Sequence, residues 1–393
     1  MWDEKDLRET LLSRISEYSP QVCQLNDWMA RNPEIGSEEY GSSRAIVDLL
    51  REHGIETEYP FAGLDTAFRG VINGEKTARM AILAEYDALR GMGHACGHCA
   101  SGSASVLAAL VLNAVKDELP FGVDIIGTPD EEIIGCKCIM ADKGIFDPYD
   151  FAIMVHMGPA NVIDVNYIAL DGLQFIWTGT AVHAASAPEQ GRNALNAARL
   201  FLDATDMMRQ HIIQEARIHG VIKDGGVASN IVPDRAEVEF LTRAPKRAQL
   251  NDITQWVKDC AQAAAMATRT QVEFHPVGEA YHELHISPAE RQVLKESYEA
   301  LGLPLEEGCG GMTGSSDIGN VDYHCPALHP VVSIGKNYQC HTVEFAEEMT
   351  KPNTHQAIRN SAALMLTVAA KLYSNESLMQ QVKAEHKEYR ERK

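Results

Sequence analysis

Positive charge is what this sequence has least of for its size. Its 35 lysines and arginines stand against 55 aspartates and glutamates in 393 residues, a formal charge of −20. Such a field repels phosphate backbones and anionic headgroups, so neither nucleic acid nor a membrane is an expected partner, and a small-molecule substrate is. Long apolar runs are also missing. None approaches the roughly 18 residues needed to cross a bilayer, and the longest, around Val106 to Val115, reads as a buried helix. The start, Met1 to Arg8, is charged and has no basic stretch leading into an apolar one, so export is not expected and the expected compartment is the cytoplasm. Nine cysteines make an odd number in a long chain of this kind, which argues for free thiols, a few of them ligands, over a disulfide framework.

What is present suffices for a large core. With 45% apolar and 23% charged residues the composition is that of a folded globular protein, and the length predicts two domains. Helical spacing of Leu7, Leu11, Ile15 and Tyr18, and of Ile46, Leu49 and Leu50, predicts two opening helices. Strand-length apolar runs follow at Met80 to Ala84, Val123 to Ile126 and Phe151 to Val155, separated by helical stretches, and each ends in a polar motif. That is α/β logic, with ligand groups at the carboxyl ends of strands. From about Ile168 the pattern becomes strand, helix, strand, strand, helix, strand: Leu173–Gly179, Ala194–Ile213, Gly226–Asn230, Ala236–Thr242, Leu250–Ala267 and Gln271–His275. It predicts an α+β unit of the split βαβ, ferredoxin-like kind. The expected organisation is a catalytic domain with a mixed sheet flanked by helices, residues 1–167 and 282–393, interrupted by a smaller domain, residues 168–281. A charged helix is expected over Ser374–Lys393.

The densest chemical signal is Gly91-Met92-Gly93-His94-Ala95-Cys96-Gly97-His98-Cys99, directly before a helix of small residues. A thiolate and an imidazole one residue apart can face one metal from a helix N-terminus, where the dipole favours an ionised Cys96. Two ligands are half a site, because zinc and similar ions take three or more from the protein and a catalytic site keeps a position open. In Gly127-Thr128-Pro129-Asp130-Glu131-Glu132 the adjacent carboxylates diverge. Glu132 is assigned to the metal and Glu131 to the attacking water as general base. His156, after the run Phe151 to Val155, and His341, in Cys340-His341-Thr342, complete the set. Ser316, on the Ser315-Ser316-Asp317 loop, and Arg243 are candidates for orienting ligands or binding substrate.

The order of these motifs resembles the aminoacylase and carboxypeptidase superfamily of dimetal hydrolases, in the branch of aminobenzoyl-glutamate hydrolases, auxin-conjugate hydrolases and related dipeptidases. The matching stretches include Asp87-Ala88-Leu89, His94 to His98, Gly127 to Glu132, Val182 to Ala185, Gly191 to Leu195, Ser229 to Asp234, Ser316 to Val321 and Cys340 to Thr342. The resemblance implies Mn2+ or Zn2+ as cofactor, one or two ions per subunit, and hydrolysis of an amide-type C–N bond in an N-acyl or aroyl amino acid or dipeptide by metal-activated water. It further implies that the smaller domain is a lid through which a homodimer forms. His183 would stabilise the oxyanion, Asn230 would bind the polar end of the substrate, and Asp87 would orient a ligand. The sequence departs from the branch at Cys99, where Asp or Asn is usual, and at Ile133 to Cys138, where glycines are usual.

Other readings accompany these. Cys96-Gly97-His98-Cys99 also fits a thiol-disulfide oxidoreductase, and the altered residues around Cys99 and Cys138 would suit a metal-dependent aminohydrolase acting on an aromatic amine. A metal-binding protein without catalysis would keep the ligands alone. Taken singly, His156 could be a satisfied strand-end histidine, His183 the cap of a helix in the smaller domain beginning near Pro188, Glu131 and Glu132 a solvated helix start, and His324 and His329 structural groups or supports for the ligands. Cys136 and Cys138 read as small buried hydrophobes.

Overall fold

The computed structural model describes residues 3–306 and 314–391. Residues 307–313, and Arg392 and Lys393 of the expected terminal helix, lie outside the described residues. The chain divides into two compact units, one of Met1–Tyr167 with Leu284–Lys393 and one of Ile168–Glu283. No helix among the described residues is long and apolar enough to cross a membrane.

The larger unit holds a six-stranded mixed sheet made of β1 (Glu56–Glu58), β2 (Phe68–Ile72), β3 (Arg79–Ala84), β4 (Gly122–Gly127), β5 (Phe151–Ile153) and β11 (Ala327–Leu328). The order across it is β1-β2-β4-β3-β5-β11. Strands β3, β4, β5 and β11 run parallel, and Ala84 pairs with Gly127. The loops after β3 and β4 therefore leave the same sheet edge side by side. Both strands are buried along their whole length, which is why they read as continuous apolar runs and not as alternating ones.

The chain does not continue straight from β5 to His156. It ends β5 at Ile153, and His156 opens a separate short strand, β6 (His156–Gly158), parallel to β12 (Val331–Ser333). Met154 and Val155 are as buried as the strand before them, so apolarity alone gave no sign of the break. The backbone N–H of His156 donates to the Pro330 carbonyl at 2.9 Å, fixing this histidine beside the segment after β11.

The helix His98–Ala114 is the central strut. All of its residues from His98 to Leu112 are buried. It packs between the helices Glu4–Arg31 and Pro352–Ser374 and against β3, burying side chains such as Leu107 and Leu110 that each contribute about 1.5–3 kcal/mol. Its small residues permit the close packing. A Cβ on Gly102 would lie 2.1 Å from the Glu85 carbonyl oxygen, so glycine is what lets the helix approach the end of β3. Gly97, at the helix start, has φ +89°, a backbone state open to glycine at little cost.

The smaller unit runs β7 (Ala169–Thr178), helix Ala194–Met208, β8 (Arg217–Asp224), β9 (Arg235–Ala244), helix Arg247–Thr268 and β10 (Gln271–Pro276). Its sheet is antiparallel in the order β10-β7-β9-β8, the arrangement of a split βαβ fold. One strand expectation is corrected. Residues Gly226–Asn230 form no strand, and the second strand is β8, which ends before Gly225-Gly226 with Gly226 at φ +107°. The two glycines punctuate the strand and do not begin one. The unit has its own apolar core around Phe175, Trp177, Phe201, Phe240 and Val257.

Candidate metal centre

Glu85 and Asp87 follow β3, Glu131 and Glu132 follow β4, and Cys96 and His98 flank the start of the central helix. His156 opens β6. His341 sits in a left-handed turn at φ +65°, with its N–H donating to the Ala95 carbonyl at 2.8 Å. A non-glycine residue in that region costs on the order of 1–2 kcal/mol, strain of a kind that gathers at functional sites.

These side chains converge. Ligand atoms of Cys96, His98 and His156 lie within 4.8 Å of one another, as do those of Cys96, Glu132 and His341, and those of His98, Glu131 and Glu132. The Cys96 Sγ is 3.5 Å from His156 Nε2, and His341 Nε2 is 3.4 Å from Glu132 Oε1. The rings of His98 and His156 are each turned by their other nitrogen. His98 Nδ1 donates to Asp87 Oδ1 at 2.7 Å and His156 Nδ1 donates to the Met157 carbonyl at 2.7 Å, which presents both Nε2 atoms for coordination. Asp87 has a second task, because its Oδ2 accepts from the Glu132 backbone N–H at 3.0 Å.

A divalent cation fits this set. His98 Nε2 and Glu132 Oε1 are buried and make no well-formed hydrogen bond, each facing only an ionisable group at 3.4 Å, Glu85 Oε2 and His341 Nε2 respectively, a condition that a cation relieves. The donors are one thiol, three imidazoles and a carboxylate, a borderline-soft set suited to Zn2+ or a related ion. The electrostatics agree. Burial works to lower the His98 pKa, yet Asp87 and Glu85 outweigh it and hold the imidazole well above its usual range. Burial, followed by the facing carboxylates of Asp317, Glu85 and Glu132, pushes Glu131 well above the usual carboxylate range. Both shifts reflect a strongly negative pocket that positive charge would stabilise. The adjacent Cys340 thiol pushes the Cys96 pKa well above the usual thiol range, and Cys96 in turn lowers that of Cys340.

A cavity of about 290 Å³ opens over the cluster, lined by Glu85, Glu131 and Glu132 together with residues such as Val165, Tyr167 and Val331. Ser316 and Cys340 also line it. Three groups here were not singled out by sequence. Lys137 is buried, with its Nζ 2.5 Å from Glu85 and 2.7 Å from Asp317. It sits inside the bulky, cysteine-bearing stretch, where an isolated charge in an otherwise apolar run was the available sign. Glu85 stands two residues before Asp87 on the same loop. His329, expected only as a structural group or a support for the ligands, lines the cavity itself and is buried.

Other expectations fall elsewhere. Cys99 is fully buried in the apolar core, its thiol pushed up by burial, and it does not line the cavity. A Cys96–Cys99 redox pair therefore lacks the exposed, low-pKa thiol that such chemistry needs. Cys136 and Cys138 are buried in the helix Cys136–Asp142 and do not line the cavity either. In the smaller unit His183 is exposed and its Nδ1 accepts from the Ala185 N–H at 3.2 Å, a local turn cap. Its segment pairs with that of Asn230, whose carbonyl accepts from Ala184 at 2.9 Å. Arg243 lies half-buried on β9.

Comparison with known proteins places this geometry in context. The model of "Peptidase family M20/M25/M40" matches residues 81–369. The chain is 31% identical over 401 residues to the Xaa-Arg dipeptidase of Mus musculus, covering 97% of this chain and 92% of that protein. It is 31% identical over 263 residues to a p-aminobenzoyl-glutamate hydrolase polypeptide of Escherichia coli, covering 62% and 54%. Among solved structures, a putative aminohydrolase from methicillin-resistant Staphylococcus aureus superposes with a TM-score of 0.77 at 19% identity, covering 93% of this chain and 99% of that one. A Bacillus subtilis dinuclear metal binding peptidase from the M20 family gives 0.65 at 18% identity, covering 89% and 99%. The chain belongs to peptidase family M20/M25/M40 and is a metal-dependent hydrolase of amide-type C–N bonds in small molecules.

Proposed function

We propose that this enzyme cleaves N-acyl or aroyl amino acids and dipeptides, with Cys96, His98, Glu132, His156 and His341 holding the metal and Glu131 acting as base. The observation that carries the reading is the pair of triads that share Cys96 alone, Cys96/His98/His156 and Cys96/Glu132/His341. Two groups that share Cys96 would suit one or two ions, Mn2+ or Zn2+. When bound, such ions supply a Lewis acid and a water whose pKa is lowered toward about 7.

The protein's own groups do the rest. Asp87 fixes the direction of His98 and the backbone of Glu132. Glu131 takes the proton of the attacking water and returns it to the leaving nitrogen, splitting the C–N bond into acid and amine. Lys137 keeps Glu85 and Asp317 paired beside it, so that these buried carboxylates are not left as bare charges. No lysine or arginine lines the cavity among the described residues. A substrate carboxylate thus needs another partner, the role we give to Asn230 and Arg243, while His183 stabilises the oxyanion.

We further propose a homodimer formed through the smaller unit. Its edge strand β8 exposes Val221 and Ile222, and an open apolar edge is a template for pairing. A cytoplasmic setting suits the eight described cysteines, all free thiols. The test is chelation followed by reconstitution. Activity on N-benzoyl and N-acetyl amino acids and on dipeptides should vanish with chelator and return with Mn2+ or Zn2+ but not with dithiols. Activity that survives complete metal removal would refute the proposal.

A further inference from the structure

His329 is the most conspicuous buried group that the proposed chemistry does not use. It follows β11 directly, and the Leu328 and Pro330 carbonyls on either side accept from Met154 and His156 at 3.1 and 2.9 Å. Its backbone is thereby locked to the segment that carries a metal ligand. One face of the ring stacks on Tyr167, with centroids 5.0 Å apart and planes 15° from parallel. It meets the His156 ring edge-on at 5.6 Å and 76°. The side chain is 1% exposed and lines the cavity, yet among the described residues neither ring nitrogen has a hydrogen-bond partner.

Packing explains where the ring sits but not why it is a histidine. A phenylalanine would stack on Tyr167 equally well and would leave no polar atom unpaired, whereas two orphaned buried nitrogens carry a desolvation cost. Buried polar atoms in native proteins almost always find a partner. The ring shares the cavity lining with Val165, Tyr167 and Val331. That largely apolar wall suits the acyl portion of an amide substrate, with one polar atom opposite the imidazole. In either neutral tautomer the ring offers one N–H donor and one acceptor, so it can serve an uncharged amide through the carbonyl or the N–H.

Resting on the amidase reading of this cavity, we propose that His329 is a specificity-determining residue that hydrogen-bonds an uncharged amide group in the acyl portion of the substrate. The enzyme then favours acyl groups that carry an internal amide over hydrocarbon acyl groups of equal length. One ring nitrogen of His329 is satisfied only by the first kind, and burying a hydrocarbon against it leaves it bare.

The test compares N-(acetylglycyl) and N-pentanoyl derivatives of one amino acid, matched in chain length, in wild type, His329→Phe and His329→Asn. Wild type should prefer the acetylglycyl substrate by roughly tenfold or more in kcat/KM, mostly through KM, as expected for one hydrogen bond to a buried group. His329→Phe should reduce that ratio to near one while bound metal per subunit stays the same, and His329→Asn should restore part of it. Calorimetric binding of the two compounds to the Glu131→Gln protein should show the same ratio without turnover. An equal preference in wild type and both variants, with metal retained, would overturn the inference. So would metal loss in both variants, which would make His329 a support for His156. If wild type binds and cleaves neither compound, the amidase reading itself fails, an outcome distinct from a lost preference.

Discussion

Asp87 is the residue whose removal the geometry prices best. One carboxylate orients two ligands, accepting from His98 Nδ1 at 2.7 Å through Oδ1 and from the Glu132 backbone N–H at 3.0 Å through Oδ2. Hydrogen bonds to a charged group contribute about 1.5–3 kcal/mol each, but part of that is recovered when a metal pulls His98 Nε2 and Glu132 into place. Loss of such a supporting partner costs metal affinity roughly 10–100-fold, or about 1.4–2.7 kcal/mol. Asp87→Ala abolishes both bonds and should fall near the upper end. Asp87→Asn keeps one acceptor oxygen, enough for one of the two donors, and should fall near the lower end. The assay is calorimetric titration of chelator-stripped protein with Mn2+ or Zn2+, with circular dichroism to check that each variant is folded. Affinities within twofold of wild type in both folded variants would refute the claim that Asp87 sets the ligand geometry.

Three further outcomes are expected. Glu131→Gln should retain the wild-type metal content by elemental analysis while kcat falls by about 10²–10⁴, the usual worth of a general base; turnover near wild type would remove Glu131 from that role. Gly102→Ala places a Cβ 2.1 Å from the Glu85 carbonyl oxygen, which only a backbone shift can relieve, so urea denaturation should show a loss of about 1–3 kcal/mol, and an unchanged midpoint would contradict the packing. Burial, with the nearby Asp87 charge, raises the Glu39 pKa from 4.5 to about 8. Because the folded state holds that proton more tightly than the unfolded chain does, its contribution is present below pH 4.5 and is lost as pH rises to about 8. Glu39→Gln should therefore flatten the stability profile of the metal-free protein across that window, and a parallel profile would refute the assignment.

The α/β class and the strand-end placement of the motifs were legible because β3 and β4 are buried on both faces and lead into charged residues. The break between β5 and β6 was not, since Met154 and Val155 are as apolar and buried as the strand they leave. Strand β8 was not legible because all but two of its residues are exposed, so it carries no buried apolar alternation. Among site residues, spacing and chemistry pointed to Cys96, His98 and Glu132. Glu85 and Lys137 escaped, and with them the tie of Lys137 to Asp317 on its loop, because a buried ion cluster joins residues 52 and 180 positions apart, a distance that no local pattern encodes. His329 escaped for a related reason. Its meaning lies in what it fails to contact, which only the packed structure reveals.

The central claim is that Cys96, His98, Glu132, His156 and His341 hold the metal beside Glu131. The most direct test is anomalous diffraction from crystals loaded with Zn2+ or Mn2+. The account predicts one or two peaks among these five side chains, each at about 2.3 Å from the Cys96 sulfur or about 2.0–2.2 Å from the imidazole nitrogens and Glu132 oxygen that hold it, as for Zn2+, with Glu131 beyond bonding distance. A peak elsewhere in the larger unit, or none at this cluster in fully loaded protein, would contradict it.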